Sequence, residues 1–267
     1  MSAAAVPVPA VLDIAGTPGI PFGRLFGVEL RKSVDTRAGR WLIGITIAAV
    51  LVAETIFLIV SAVKNLDSSY GDFVAGAAFV SSFLLPILGI MLVSSEWSQR
   101  TAMTTFTLEP RRMRVVMAKM LAGVAMTAFV IAFALVIGLL GNLLFAAIQG
   151  QSPAWTFGWT GFTGFLVTQT FAMVGGFALA CLLLNTPAAI VVYVVYKYVL
   201  PGLIALGSLM TWFSHLAPWI DFQAAQNELY DMPLTSAQWW HLVVSGLIWL
   251  ALPLLIGLWR IRRAEVK

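Results

Sequence analysis

The sequence contains few charged residues. Lysine and arginine together number 16 and aspartate and glutamate 12 among 267 residues, whereas apolar residues make up 60% and the mean hydropathy is +0.91. A soluble domain of this size could not cover its surface with so few charges. The composition therefore excludes an ordinary soluble globular protein and predicts a polytopic membrane protein.

Cysteine and the common catalytic motifs are scarce as well. The single cysteine, Cys181, cannot form a disulfide framework or a cysteine metal site. The chain has no GxxxxGK[ST] phosphate loop, and its two histidines and its serines lack the HExxH and GxSxG spacings of hydrolases. We therefore expect no enzymatic activity, no metal site and no cofactor bound by this chain.

The N-terminal region divides into two parts. Residues 1–20 are rich in Ala, Pro and Gly and lack the basic start and long apolar core of a signal peptide, so we expect a flexible tail. Residues 21–38 mix apolar residues with arginine and lysine, which predicts an amphipathic helix at the membrane interface with its basic side toward lipid phosphates. An ordinary basic stretch next to the membrane is the alternative.

Six apolar segments follow, each long enough to cross a hydrocarbon core of about 30 Å at about 1.5 Å per residue. Their predicted bounds are 41–63, 73–94, 115–148, 160–184, 188–212 and 239–259. The third segment is longer than required and is expected to tilt or to extend beyond the bilayer. Pro201-Gly202 is expected to kink or break the fifth segment. The predicted fold is all-α, with one six-helix transmembrane domain over residues 21–267.

Most basic residues lie on one side of these spans. Of the 16, five precede the first span, five lie between the second span and the first turns of the third, where Lys119 is counted, and four follow the sixth. Because basic loops remain in the cytoplasm, this distribution predicts that both termini are cytoplasmic in a multi-pass protein of the plasma membrane. The net charge of +4 follows this topology and does not indicate a nucleic-acid partner.

Residues 214–238 are too long for a simple connection between the last two spans. They mix aromatic, apolar and acidic residues, and tryptophans flank them. We expect one or two short helices that rest on the outer leaflet or re-enter it, and a plain surface loop is the alternative.

The segment 95–114 between the second and third spans differs from a simple turn. It predicts a short cytoplasmic helix that begins near Glu96 and is ended by Pro110, followed by a basic turn. A chain that leaves the membrane, forms one short helix and re-enters presents a surface to something outside the bilayer. Positive-inside anchoring is the alternative role for the arginines, and we prefer it for Arg114. The predicted contact residues are Glu96, Arg100, Thr101, Pro110, Arg111 and Arg112.

Two ionisable residues lie within the predicted spans. Glu54 is far from either end of the first span, and Lys197 lies in the fifth. Each costs several kcal/mol if left unpaired in lipid, so each should face protein or water. A Glu54–Lys197 pair, within one chain or between two chains, is one hypothesis. These residues would either form part of a translocation path or serve structure alone, as a pair or as a lysine reaching toward the interface.

Two stretches and the span topology resemble the ABC-2 type permeases, the membrane subunits of export-type ABC transporters. ELRKSVDTRAGRW, residues 29–41, resembles the basic helix that precedes the first span in that family. SSEWSQRTAMTTFTLEPRRMRVVMAKML, residues 94–121, resembles the family's most recognisable segment, with an acid, a Thr, an apolar stretch, Pro, a basic residue and Lys in order. The sequence departs from the family at Arg100, where many relatives have Gly.

The resemblance implies a partner and a mechanism. The short helix would be a coupling helix that docks on a separate ATP-binding subunit, two copies of which would hold ATP and Mg²⁺. Two copies of this chain, or this chain and a close relative, would enclose a path for a hydrophobic or amphipathic, drug-like or lipid-like substrate. Three alternatives remain: a proton-coupled secondary carrier that uses Glu54, a non-transporting membrane scaffold, and an intramembrane enzyme, which the missing catalytic groups disfavour.

Overall fold

The computed structural model describes residues 19–99 and 101–264, and these residues form helices and no strand. The predicted tail over 1–20 lies almost wholly outside the described residues. The helices are α1 (Phe22–Asp35), α2 (Arg37–Lys64), α3 (Tyr70–Ser98), α4 (Ala102–Leu108), α5 (Arg112–Gln149), α6 (Trp159–Leu183), α7 (Thr186–Gly207), α8 (Thr211–Ser214), α9 (Ala217–Ile220), α10 (Phe222–Asn227) and α11 (Ser236–Arg263).

Six of these helices are long and apolar enough to cross a membrane, which confirms the predicted all-α fold with six spans. They are α2, α3, α5, α6, α7 and α11.

Two helices end three or more residues before their predicted bounds. The helix predicted over 21–38 ends at Asp35, because Thr36 is extended and its hydroxyl accepts a hydrogen bond from the Gly39 amide as the N-cap of α2. The span predicted over 188–212 ends at Gly207. There the ring of Phe213 lies against the glycine, so the chain turns back before α8. Both ends depend on contacts that hydropathy does not encode.

Proline changes the winding of two spans without ending them. Pro201 has no amide hydrogen for the carbonyl of residue 197, and the helix widens into a π-helical turn over Val195–Val199 just before it. The same arrangement precedes Pro253, where Leu247–Ala251 form the π-helical turn. At Pro201-Gly202 the structure therefore shows a local change of winding, and α7 continues to Gly207 instead of breaking.

The central helix of the bundle is α3, which packs most extensively against α6 and also contacts α2, α5 and α7. Glycines permit the close approach of α3 and α6. A Cβ on Gly89 would overlap the backbone of Met173, and a Cβ on Gly176 would overlap the backbone of Pro86. Such backbone contact between small residues is typical of helix pairs within membranes. By contrast, α2, α7 and α11 bury a small part of their surface within the chain.

The two ends of the bundle have different structures. One end, here called the basic end, carries α1, α4 and the C-terminus of α11. At the other end, the chain between α7 and α11 forms α8, α9, α10 and a 3-10 turn over Glu228–Tyr230. This chain reaches back along α11, because Trp249 Nε1 donates to the carbonyl of Ile220 at 2.8 Å. Trp249 lies 13 residues beyond Ser236, or about 20 Å along the helix at about 1.5 Å per residue.

The contact between α3 and α6 generates the first prediction. Replacing Gly176 by Ala should lower the free energy of unfolding by about 1–3 kcal/mol, because the added methyl group must displace the α3 backbone. Gly175→Ala is the matched control, since a Cβ there would meet Tyr193 and Leu250 at ordinary contact distances of 3.6 and 3.8 Å. Thermal unfolding in mild detergent compares the two variants. Equal unfolding midpoints would contradict the close approach of these helices.

Candidate functional site

Four charged side chains from three helices form one ion cluster at the basic end. Lys119 Nζ of α5 lies 2.7 Å from Glu29 Oε2 of α1 and 2.9 Å from Glu96 Oε1 of α3. Lys32 Nζ of α1 lies 2.9 Å from an oxygen of each of the same two carboxylates. Each ammonium group therefore bridges both glutamates, and the charges alternate around a closed ring.

Most of the ion cluster is removed from solvent. Glu29 is 2% exposed and Lys119 5% exposed, and Glu96 is also buried. Burial acts to lower the pKa of Lys32, but hydrogen bonds and charges from Glu29 and Glu96 outweigh it, and the pKa is raised. Lys32 therefore keeps its charge at neutral pH. The cluster joins α1 to α3 and α5 through charge-assisted hydrogen bonds.

The ion cluster contains one predicted site residue, Glu96, and three that the prediction missed, Glu29, Lys32 and Lys119. Glu96, selected from the sequence for partner contact, is buried in the cluster. Lys119 carried a signal, because it is flanked by apolar residues within the predicted span 115–148, where a charge requires a partner. Glu29 carried a weaker signal: Lys32 follows three residues later and lies on the same face of the helix.

One side of α4 packs on the chain and the other is exposed. Ala102 is buried, and the ring of Phe106 lies 6.1 Å from that of Trp97 and 5.2 Å from the guanidinium carbon of Arg112. Leu108 is 70% exposed, which is unusual for a large apolar side chain unless it meets lipid or a partner. The exposed residues, here called the α4 surface, are Thr101, Met103, Thr104, Thr107 and Leu108.

Both ends of α4 are held by polar contacts. The Thr101 amide donates to the carbonyl of Glu96 at 2.9 Å, so α4 begins beside a member of the ion cluster. At the other end, buried Glu109 pairs with Arg114 at 2.7 Å. A displacement of α4 would therefore act directly on α3 and α5. Arg100, which was also selected for partner contact, lies outside the described residues.

The remaining predicted contact residues differ in exposure. Pro110 and Arg111 are exposed between α4 and α5. The Arg112 guanidinium donates to the carbonyls of Ile261 at 2.8 Å and Ala264 at 2.7 Å, at the C-terminus of α11. Helix C-termini leave carbonyls without partners and favour a nearby positive charge. Arg112 is thus engaged within the chain, whereas Arg111 is free to meet another molecule.

The structure does not bring Glu54 and Lys197 together within the chain. Lys197 Nζ donates to Gln223 Oε1 of α10, and Gln223 Nε2 donates to the Tyr196 hydroxyl at 3.1 Å. Glu54 is 5% exposed, and neither of its carboxylate oxygens has a hydrogen-bond partner among the described residues. It faces α3 at Gly76, where a Cβ would lie 2.9 Å from Oε1.

Comparisons with known proteins add no assignment. No protein-family model matches the chain, and no curated protein matches it. Within residues 19–99 and 101–264, no group of three or more His, Cys, Asp and Glu side chains is placed to hold a metal ion.

The ion cluster generates the second prediction. Lys119→Met leaves two buried carboxylates with Lys32 alone, and loss of one partner in a buried ion pair costs about 3–5 kcal/mol. We expect a lower midpoint of thermal unfolding, and Glu29→Gln added to Lys119→Met should recover part of the loss. Arg31→Gln, an exposed change on α1, the helix that carries Glu29, is the control. If the two cluster substitutions destabilise additively, the charges do not interact as the geometry indicates.

Proposed function

We propose that this chain is the membrane subunit of an ATP-driven exporter of the ABC-2 type. The supporting observation is α4, a short helix between two spans on which the large apolar side chains of Met103 and Leu108 are exposed. An exposed apolar surface of this kind suits contact with a protein partner. The α4 surface and the neighbouring Arg111 form the contact with a separate ATP-binding subunit.

The contacts of α4 suggest how force would pass into the membrane. Two ATP-binding subunits, which hold ATP and Mg²⁺, close on each other and displace the α4 surfaces attached to them. At the start of α4 the displacement acts on the Glu96 backbone, and from there on the ion cluster and α1. At its end it acts through Glu109 and Arg114 on α5. This chain transmits the movement and does not hydrolyse ATP.

The exposed surface of the spans and the distribution of the basic residues support a proposal for the second subunit and for the orientation in the membrane. A second copy of the chain, or a close relative, packs against the spans that the single chain leaves largely exposed, α2, α7 and α11. The substrate is hydrophobic or amphipathic, because the spans offer little polar lining. The excess of basic residues at the α4 end supports the proposal that both termini are cytoplasmic, in a protein of the plasma membrane.

The third prediction tests the proposed partner. We expect a mild-detergent pull-down of the tagged chain from its native membranes to recover an ATP-binding subunit with a phosphate loop in stoichiometric amount. Changing Met103 and Leu108 to Glu should abolish recovery, because two charges would replace the apolar contact. Arg31→Glu, an exposed change at the same end of the bundle, should leave recovery unchanged.

The absence of any ATP-binding subunit, under conditions that preserve other membrane complexes, would contradict the exporter proposal. Equal recovery with the α4 surface variant would contradict the assigned contact and move it elsewhere. A non-transporting scaffold would instead recover partners that lack a phosphate loop.

A proton-coupled carrier is the second candidate, and Glu54 is the observation that favours it. A buried carboxylate without a hydrogen-bond partner is costly, and in carriers such residues mark proton pathways. In this mechanism Glu54 binds a proton from one side of the membrane and releases it to the other.

The fourth prediction separates the two candidates. If the chain is an exporter, Glu54→Gln should preserve ATP-driven efflux and assembly, because Gln keeps the size of the side chain. If it is a carrier, the same variant should lose transport driven by a pH gradient in vesicles while remaining folded. Unchanged pH-driven transport in the variant would remove Glu54 as the proton site.

A further inference from the structure

A cleft of about 900 Å³ lies at the basic end, between α1, the first turns of α2, the end of α3, and α4. Its volume lies in the range of small-molecule sites, about 300–1,000 Å³. The ion cluster forms part of its wall, and so do Thr101, Thr104 and Leu108 of the α4 surface. The exporter mechanism proposed above uses the exposed side chains of α4 and gives the interior of the cleft no role.

The lining of the cleft changes from charged to apolar along the direction of the spans. The charged groups lie at the helix ends, where α1, α2 and α4 meet. The apolar groups lie one to three turns inside α2 and α3, at depths reached by lipid chains. A ligand that fits this gradient has a polar headgroup and an apolar chain. The apolar lining residues of α2 and α3 are Leu42, Ile43, Leu88, Met91 and Leu92, and Ile20, Leu25, Val28 and Leu108 also line the cleft at its charged end.

The charge of the cleft favours an anion. The ion cluster is neutral by itself, because two lysines balance two glutamates. Glu109, also in the lining, is paired with Arg114. Arg24 and Arg37 also line the cleft, and no ion pair among the described residues involves either of them. The lining therefore carries excess positive charge, and Arg37, within two turns of Leu42, is the arginine at the mouth of the apolar part.

We infer that this cleft binds an anionic phospholipid, with its phosphate at Arg37 and an acyl chain against the apolar residues of α2 and α3. The lipid fills the space beside the ion cluster and connects α1 to the leaflet at the basic end. A zwitterionic lipid also carries a phosphate, but its own ammonium group balances that charge, so it would leave the excess positive charge of the cleft uncompensated. The inference does not depend on the exporter proposal, because it requires neither ATP nor a partner subunit.

The test uses the full chain in vesicles without any partner. Cys181→Ala removes the single cysteine. A bimane label is then placed at Met91→Cys in the cleft, or at Met117→Cys, which is exposed near the same end and does not line the cleft. The protein is placed in phosphatidylcholine vesicles that contain an increasing fraction of one brominated lipid, either phosphatidylglycerol or phosphatidylcholine. The bromine atoms on the acyl chains quench the label on contact.

We expect brominated phosphatidylglycerol to reach half-maximal quenching at Met91→Cys at a mole fraction about fivefold lower than phosphatidylcholine, the effect of one basic residue near a lipid surface. At Met117→Cys the two lipids should quench alike. Arg37→Gln should reduce the preference, whereas Arg40→Gln, an exposed change one turn later that does not line the cleft, should preserve it.

Three results would overturn the inference: equal quenching by both lipids at Met91→Cys, an equal preference at Met117→Cys, or an equal loss with Arg40→Gln. The comparison of two lipids on one labelled protein does not depend on whether the arginine variants fold. A failure of the ATP-binding pull-down would leave this result unaffected, so the two proposals fail separately.

Discussion

The contact of Lys119 with Glu29 and Glu96 is the interaction on which the basic end of the protein depends. Taking these charges out of water is costly, so each is stable only when the others are in place. The only residues that α1 buries are Leu25 and Glu29. Its position is therefore set by the ion cluster, by the contact of Leu25 with α5 and by the partly buried Phe26 and Leu30 on the main core. The cluster requires α1, α3 and α5 to be correctly placed together.

The same constraint explains why α4 is not an independent loop. A helix of seven residues is too short to be stable alone in water. Here α4 is held between the Glu96 backbone, the Glu109–Arg114 pair and the ring of Phe106 under Arg112. Because Arg112 also caps α11, the last span is connected to the same region. A partner that moves the α4 surface therefore acts on four helices through polar contacts, which transmit displacement better than lipid does.

The sequence predicted the number and order of the spans because hydropathy and length determine them. It did not predict the ion cluster, because Glu29 and Lys119 are 90 residues apart and their contact depends on how three helices pack. The partner of Lys197 was missed for a similar reason. Gln223 reaches it only because the chain after α7 folds back, and that reversal follows from Phe213 packing on Gly207. Glu96 was selected for its position near α4, but its burial could not be read from the sequence.

The spans meet the cost of a buried polar group in three ways. Lys119 has two carboxylates, Lys197 has a neutral amide, and Glu54 has no hydrogen-bond partner among the described residues. A charge at Glu54 would require a donor from water or from a second subunit, whereas a proton would remove the charge altogether. In an exporter, Glu54 can keep one protonation state, since ATP supplies the movement. In a carrier, Glu54 must alternate between its charged and protonated states, and a route for protons must reach α3 at Gly76. On the side of α3 the carboxylate packs directly on Gly76, where even an added Cβ would lie 2.9 Å from Oε1.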